Sequence, residues 1–324
     1  MPQELKIAMM GASGVGKTSL LTAMYEQFDK TIGQTDLQLT PDEESNAVLQ
    51  ERLGELKGLL DDFEATGGIE GDSEPSSFIF DLGKKGAKPS LRLNFQDFPG
   101  GWLSSNATSE QRQFVKELLE NSVAILIAVD TPALMEVKGK WHELQNRPTQ
   151  IKNLFASVYQ EMKSPRLVIF APVRCEKYMQ NTTSASNLLR SIKEGYADLL
   201  ALFRAQTLNP WVTTVVTPVQ TVGTVVFSRI DVKENRPHFY FHKISHEAEY
   251  DPQDSDQPLR YLLRFVLKLH LAQKNAKWLG LVGIVQEWLG MNEHLKSAIT
   301  QSSQGCKTTN GFTVLQGQKW LNIK

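Results

Sequence analysis

The sequence is poor in cysteine and contains no long apolar run. Its two cysteines, Cys175 and Cys306, lie far apart and in no metal-ligand spacing, which argues against a disulfide framework and favours a reducing compartment. No stretch approaches the roughly 18 apolar residues that a membrane-spanning helix requires. The first residues, MPQELKIAMMG, lack the basic start and the apolar core of a secretory signal. These absences predict a cytoplasmic protein without a membrane span.

An excess of charge of either sign is also missing. The net charge is −1, so no general electrostatic attraction to nucleic acid is expected, and we expect no nucleic-acid partner. The 324 residues, 41% of them hydrophobic and 22% charged, are typical of a globular protein with a substantial core. Short apolar runs such as SVAILIAVD and RLVIFAPV alternate with amphipathic segments. This alternation predicts an α/β fold with a mostly parallel sheet.

Residues 8–19 read AMMGASGVGKTS and form a complete G-x-x-x-x-G-K-[ST] motif between a predicted strand and a predicted helix. The glycines allow backbone N–H groups to surround phosphates, and the start of the helix adds a positive dipole. A lysine at this position contacts the terminal phosphates, and the threonine hydroxyl ligates Mg²⁺. The motif therefore predicts nucleotide-phosphate contacts from Gly11, Ser13, Gly14, Val15, Gly16, Lys17, Thr18 and Ser19.

A second motif, DFPGG, begins at Asp97 and follows a predicted hairpin whose strands cover residues 78–82 and 91–95. A carboxylate at the end of a strand beside a phosphate loop is a typical partner of Mg²⁺. The N–H group of Gly100 is expected to approach a γ-phosphate. We therefore predict a metal site at Thr18 and Asp97. The predicted catalytic set is Lys17, Thr18, Asp97 and Gly100.

Three regions are predicted to extend this core. A helical insertion covers about residues 40–68, beginning at a capping box on Thr40 and ending at Gly67 and Gly68. An extra hairpin covers about residues 223–245. The main domain is then expected to span residues 1–277, and residues 278–324 form a C-terminal extension. In this extension the segment WLGLVGIVQEWLGM is interpreted as a core helix or a helix that docks on a protein partner.

The order of segments resembles the layout of Ras-like and other translation-factor-class GTPases. An insertion comes first, an antiparallel edge strand follows, and the next strand carries D-x-P-G. Within that class the chain is similar to bacterial double-GTPase-type families, which pair a G-x-x-x-x-G-K-T loop and a long helical insertion with a segment like DFPGGWL, residues 97–103. The resemblance spans about residues 5–275. It implies a P-loop NTPase fold, a mostly parallel sheet with one antiparallel edge strand flanked by helices. It also implies GTP or GDP with Mg²⁺, and a switch over residues 31–77 that the γ-phosphate orders.

The base-reading motif departs from that class. GTPases of this class carry N-K-x-D at the end of the fifth sheet strand, where this chain has RLVIFAP followed by VRCEKY. Arg174 stands at the lysine position, from which a guanidinium can stack on a purine. Glu176 stands at the aspartate position and keeps two acceptor oxygens for guanine. Thr217 is the predicted contact of the last base-binding loop, with Gln220 as a second candidate.

Hydrolysis is expected to be slow. Ras-like enzymes place a water-orienting glutamine where this chain has Gly101, so a protein partner or a nearby side chain must replace it. The nearby candidates are Glu110, Gln111 and Arg112. The switch hydroxyl that senses the γ-phosphate stays open among Thr66, Ser73 and Ser76.

Three functions remain open. The first is a guanine-nucleotide switch that acts with a protein partner or as a homo-oligomer in a bacterial multiprotein system. The second is an ATPase on the same scaffold, for which loss of N-K-x-D is the expected sign. The third is a nucleotide-binding scaffold subunit that does not hydrolyse, which Gly101 favours.

Overall fold

The computed structural model describes residues 3–32, 36–66, 74–273 and 293–323. Its strands are β1 Gln3–Met10, β2 Leu37–Pro41, β3 Glu64–Thr66, β4 Ser76–Lys84, β5 Leu91–Asp97, β6 Ala124–Asp130, β7 Arg166–Val173, β8 Val212–Val216, β9 Val225–Lys233, β10 Arg236–Lys243 and β11 Thr313–Gln316. Its helices are α1 Lys17–Ile32, α2 Glu43–Gly58, α3 Ser109–Asn121, α4 Thr131–Met135, α5 His142–Asn146, α6 Pro148–Val158, α7 Thr182–Gly195, α8 Ala197–Arg204, α9 Gln257–Gln273 and α10 Glu293–Gln304.

The larger sheet has eight strands in the order β11-β8-β7-β6-β1-β5-β4-β2. Its centre, from β8 to β5, is parallel, and β4 pairs with β5 in the antiparallel sense. This confirms the predicted α/β fold class. Two strands that were not predicted, β2 and β11, extend the sheet at its edges through antiparallel pairs with β4 and β8.

Both faces of this sheet are covered, as expected of parallel strands joined by helices. Every residue of β6 and β7 is buried, which explains why these strands read as continuous apolar runs. One face packs against α1 and α9 through residues such as Phe28 and Phe265. The other face packs against α3, α6 and α8, where Leu119, Phe155 and Phe203 lie. The carboxyl ends of the parallel strands remain accessible to loops, which is where ligands bind in such sheets.

The capping box predicted at Thr40 is wrong as the start of the inserted helix. Thr40 lies in β2, where its cross-strand partner is Asp81, and α2 begins only at Glu43. The N-cap is Asp42, whose carboxylate accepts a hydrogen bond from the Ser45 N–H over 2.9 Å. The alternation of buried and exposed residues in LQLTP is a strand pattern, and pairing with β4 prevails over the capping signal.

The insertion also ends differently from the prediction. The helix α2 stops at Gly58, and Glu64–Thr66 then forms a strand that pairs with β10. Gly67 and Gly68 lie outside the described residues. The strands β3, β10 and β9 form a separate three-stranded sheet, in which β9 and β10 are the hairpin. This small sheet shares a hydrophobic cluster with the insertion, to which Leu56, Phe227, Phe239 and Phe241 belong.

The C-terminal part of the chain packs on the main fold. The helix α10 lies against α9, and β11 pairs with the β8 edge, where Val314 is opposite Val215. The segment WLGLVGIVQEWLGM lies outside the described residues. Among the helices that the structure describes, none has the length and apolarity needed to cross a bilayer.

Candidate functional site

The phosphate-binding loop (residues 11–16) connects β1 to the first residue of α1. Gly14 and Gly16 have φ angles of 71° and 98°, in the left-handed region that glycine adopts without strain. Lys17 begins α1, so its backbone N–H belongs to the positive end of the helix dipole. The predicted Thr18 and Ser19 follow in the first helical turn and are half-buried. The loop therefore has the conformation that surrounds an anion with N–H groups.

A buried pair of opposite charges lies beside this loop. The Lys17 Nζ donates to the Gly11 carbonyl over 3.3 Å and lies 3.4 Å from Asp97 Oδ1. Asp97 Oδ1 also accepts a hydrogen bond from the Phe98 N–H over 2.7 Å. Parallel pairing of β1 with β5 brings the two motifs together, because Ala8 is opposite Gln96. The structure thus places the predicted Lys17 and Asp97 in direct contact.

Gly100 lies against the loop itself. A Cβ atom at Gly100 would lie 2.0 Å from the Ser13 nitrogen and 2.2 Å from the Ala12 carbonyl carbon, so glycine is required for this close approach. A Cβ at Gly101 would meet no atom within 4 Å. The DFPGG turn therefore contacts the phosphate-binding loop at Gly100, while Gly101 borders open space.

The side chains expected to replace the missing glutamine are used locally or face solvent. Gln111 forms a reciprocal capping box with Thr108 at the start of α3. Arg112 Nη2 donates to the Ser105 carbonyl over 2.7 Å. Glu110 is in the first turn of the same helix and is exposed. In this arrangement none of the three is brought to the Lys17–Asp97 pair.

Ser76 is the switch candidate that the structure places at the site. It is the cross-strand partner of Asp97, so the two side chains share a face of the sheet. The Ser76 hydroxyl is buried and has no hydrogen-bond partner among the described residues. Ser73 lies outside the described residues, and the side chain of Thr66 is likewise not described. A buried hydroxyl without a partner beside a carboxylate is suited to a ligand that supplies the missing interaction.

Arg174 lies at the carboxyl end of β7 and reaches back to the phosphate-binding loop. Its Nη2 donates to the Gly14 carbonyl over 2.6 Å, and its Nη1 donates to Asp130 Oδ2 over 2.8 Å. The guanidinium carbon is 5.6 Å from the centre of the Phe241 ring. Arg174 therefore links the loop to the neighbouring strand end and borders an aromatic side chain.

Glu176 is almost fully buried, at 5% exposure. Its Oε1 accepts hydrogen bonds from the N–H groups of Val222 and Gly223, each over 3.3 Å. Burial raises the pKa of Glu176, and hydrogen bonds from its own backbone N–H and from those of Gly223 and Val222, together with the charge of Arg174, oppose that increase. The carboxylate is therefore held in a fixed position by the segment that follows β8.

A cleft of about 570 Å³, part of it open to solvent, connects these residues. It is lined by the loop and α1 (Val15, Gly16, Ser19), α2 (Leu56, Leu59), the end of β7 (Val173, Arg174, Glu176), the segment after β8 (Thr221, Val222) and the β9–β10 hairpin (Val225, Phe241).

The structure places both candidates for the last base-binding loop away from the cleft lining. Thr217 is fully buried and does not line the cleft, and neither does Gln220, which bridges to Gln253. The chain continues beside β7 after β8 ends, since the Thr217 N–H donates to the Phe170 carbonyl. The turn into the cleft therefore comes at Thr221 and Val222.

The sequence does not predict the apolar residues that the insertion and the hairpin contribute to the cleft, namely Leu56, Leu59, Val225 and Phe241. Their spacing shows that they are buried, but the same pattern describes any core-facing position. Only the packing of α2 and β10 over the end of β7 identifies them as cleft residues.

Comparison with known proteins shows a family match over most of the chain. The family model of Double-GTPase 2 matches residues 6–209. No curated protein matches the chain. Among solved structures, the chain is similar to the GTPase-like domain of Saccharomyces cerevisiae Ski7 bound to GTP, with 10% identity and a TM-score of 0.39, covering 67% of this chain and 43% of that one. The same domain bound to GDP and inorganic phosphate has 12% identity to this chain and a TM-score of 0.35, covering 67% of this chain and 43% of that one. The match thus spans less than half the length of those chains.

Proposed function

Because the chain belongs to the Double-GTPase 2 family and is a GTP-binding P-loop protein, we propose that it is a Mg²⁺-dependent guanine-nucleotide switch. Its GTP hydrolysis is slow without help and is stimulated by a protein partner or a second copy of the chain. It acts in the cytoplasm as part of a bacterial multiprotein system. The observation that carries the proposal is the position of the phosphate-binding loop, which lines a cleft together with Glu176 and is followed by Lys17, the partner of Asp97.

The phosphates occupy the concave side of the loop. Gly14 and Gly16 give its backbone the curvature that turns N–H groups toward an anion, and Lys17 adds a positive charge. Lys17 Nζ contacts the Gly11 carbonyl and Asp97. A triphosphate competes for these contacts, so nucleotide binding rearranges the Lys17–Asp97 pair.

The oxygen donors beside the loop fit a magnesium ion. Thr18, Asp97 and Ser76 offer hydroxyl and carboxylate oxygens, the hard ligands that Mg²⁺ prefers, and the Ser76 hydroxyl has no partner among the described residues. Bound Mg²⁺ neutralises charge on the phosphates. We propose that Thr18 holds it directly and Asp97 through water, and that Ser76 is the switch hydroxyl.

The base lies in the cleft, and Glu176 selects guanine. Its Oε1 accepts from two backbone N–H groups, so Oε2 is the oxygen that accepts from the N1–H and N2–H groups of guanine. Adenine offers an acceptor at N1 and is repelled by a carboxylate. Arg174 and Phe241 border the planar faces of the base.

One observation favours the scaffold alternative, in which the protein binds nucleotide without hydrolysing it. Gly101 offers no side chain to orient water, and Gln111 and Arg112 are engaged at the start of α3. If phosphate release from bound GTP stays undetectable with purified partner present, the scaffold function replaces the switch.

The first prediction concerns base choice. In calorimetric titrations with Mg²⁺, the protein is expected to bind GTP about tenfold to a hundredfold more tightly than ATP. This ratio of affinities corresponds to the free energy that hydrogen bonds to a charged group contribute. Glu176→Gln keeps an acceptor for Val222 and Gly223 but places an N–H donor toward guanine, so GTP affinity is expected to fall by about tenfold or more.

The matched control is Glu117→Gln, an exposed position on α3 that should leave both affinities unchanged. Since burial disfavours the ionised Glu176, its replacement by glutamine should not lower the unfolding temperature of the ligand-free protein. A preference of the unmodified protein for ATP would contradict the proposal and support the ATPase alternative.

A further inference from the structure

A chain of buried polar groups extends from the phosphate-binding loop away from the cleft. It begins at Arg174, which donates to the Gly14 carbonyl over 2.6 Å and to Asp130 Oδ2 over 2.8 Å. The side chains of Arg174 and Asp130 are 15% and 1% exposed, so solvent screens this ion pair only weakly. One guanidinium therefore ties a carbonyl of the loop to the end of β6.

The direction of Arg174 depends on that carboxylate. Arg174 has a φ of 54°, in the left-handed region that few non-glycine residues occupy, directly after Val173 at the end of β7. Val173 and Asp130 are opposite each other where β7 and β6 end. Since a guanidinium has five donors and needs acceptors when buried, Asp130 determines which way the Arg174 head group points.

Asp130 is in turn held by Asn146. The Asp130 N–H donates to Asn146 Oδ1 over 2.7 Å, and Asn146 Nδ2 donates to the Asp130 carbonyl over 3.0 Å. The amide side chain thus replaces a neighbouring strand for the last residue of β6. Asp130 Oδ1 accepts from the Ala133 N–H over 2.9 Å and caps α4, which leaves Oδ2 for Arg174.

His142 completes the chain by orienting the Asn146 amide. Asn146 Nδ2 lies 3.0 Å from His142 Nδ1, and it donates there because Asn146 Oδ1 already accepts from Asp130. His142 is therefore neutral, with Nδ1 as acceptor and Nε2–H donating to the Gly195 carbonyl over 3.1 Å. Each hydrogen bond in this series therefore depends on the orientation of the preceding side chain.

We infer that Asp130, Asn146 and His142 are positioning residues for the phosphate-binding loop, acting through Arg174 on the Gly14 carbonyl. They are not catalytic residues. Their loss frees the Gly14 peptide, loosens the N–H groups that surround the phosphates and weakens nucleotide binding. The binding part of this inference rests on the proposed function, whereas the effect on the loop does not.

The test is hydrogen–deuterium exchange of the full ligand-free chain. Asp130→Asn keeps the shape of the side chain and the acceptor for Ala133 but removes the charge that pairs with Arg174. The amides of residues 11–16 are expected to exchange about fivefold faster in this variant, because opening of the loop costs less free energy. Asn146→Ala and Arg174→Lys should shift the exchange in the same direction, so the inference does not depend on a single variant folding.

The matched control is Asp81→Asn. It removes the charge from a second arginine–aspartate pair, in which Arg92 Nε donates to Asp81 Oδ1 over 2.8 Å, at the end of β5 that is remote from Asp97. Exchange in residues 11–16 should then match the unmodified protein. Unchanged loop exchange in folded Asp130→Asn, Asn146→Ala and Arg174→Lys overturns the inference.

The second readout separates positioning from chemistry. For GTP hydrolysis, Asp130→Asn is expected to raise KM about tenfold while kcat changes less than about twofold, since the loop binds substrate and transition state alike. A fall in kcat with unchanged KM would overturn the inference. If the unmodified protein binds no nucleotide, the proposed function fails. The exchange experiment still decides whether the hydrogen-bonded side chains from Arg174 to His142 order the loop.

Discussion

Each charged side chain that the structure describes as buried at the candidate site has a specific partner. Lys17 is next to Asp97, Arg174 is paired with Asp130, and Glu176 accepts from two backbone N–H groups. Removing one member of such a pair leaves the other buried without compensation, which costs more than the pair contributes. Conservative replacements that keep shape and hydrogen bonding are therefore the informative ones at this scale.

His142 gives a prediction about pH. Burial lowers its pKa below the ordinary value, and the hydrogen bond to the Gly195 carbonyl and nearby Glu143 only partly oppose this. The unfolded chain therefore binds a proton near pH 6.5 that the folded chain does not bind. Stability is expected to fall as the pH decreases from about 7 toward the lowered pKa. Urea denaturation at several pH values measures this decrease.

His142→Gln keeps a donor and an acceptor but does not titrate, so the decrease in stability with acid should be smaller in this variant. His238→Gln, at an exposed position of β10, should retain the full decrease. Equal pH dependence in both variants would show that His142 is not the group responsible.

At the scale of elements, the small sheet and α2 form one side of the cleft. Phe241 of β10 and Leu56 and Leu59 of α2 line it, and Phe241 and Leu56 also belong to the hydrophobic cluster that joins the small sheet to the insertion. A base bound between them would extend that cluster. Release of such a base would then require these elements to move away from the end of β7.

Phe241→Leu tests this arrangement. Leucine keeps the position apolar but removes the aromatic face, and aromatic contacts contribute about 1 kcal/mol beyond burial, so release of a fluorescent guanine nucleotide is expected to be about fivefold faster. Stopped-flow displacement measures the rate. Phe239→Leu makes the same change on the same strand at a residue that does not line the cleft. If both variants release nucleotide at the same rate, Phe241 does not contact the base.

At the scale of the whole molecule, the cleft joins parts of the chain that are distant in sequence. The cleft combines residues from Val15 to Phe241. The strand β11 forms one edge of the larger sheet, and β2 forms the other. A ligand that binds only the folded state stabilises all of it by mass action, by about 2.7 kcal/mol at a hundredfold excess over Kd.

The expected result is a rise in unfolding temperature of about 5 °C with saturating GTP and Mg²⁺, measured by differential scanning fluorimetry. Chelation of Mg²⁺ with EDTA should remove most of the shift if Thr18 and Asp97 hold the ion. Lys17→Ala should show little shift under either condition. A full shift in the presence of EDTA would contradict magnesium dependence.

Much of the fold was predictable because its signals are local. The buried strands β6 and β7 are continuous apolar runs, and the phosphate-binding loop is a contiguous motif. The resemblance to double-GTPase-type families is confirmed by the family match. The start of α2 was misplaced because Thr40 and Pro41 read as a helix start, although pairing with β4 makes them a strand.

The sequence by itself determined the α/β class, the phosphate-binding loop and the family, since each depends on residues adjacent in the chain or on a regular period. The tertiary structure alone decided that Thr221 and Val222 line the cleft in place of Thr217, and that Ser76 lies opposite Asp97. It also decided that Arg174 donates to the Gly14 carbonyl and that Asp130, Asn146 and His142 continue the hydrogen bonds from Arg174. These contacts join residues far apart in the chain, and only strand register and helix packing bring them within hydrogen-bonding distance.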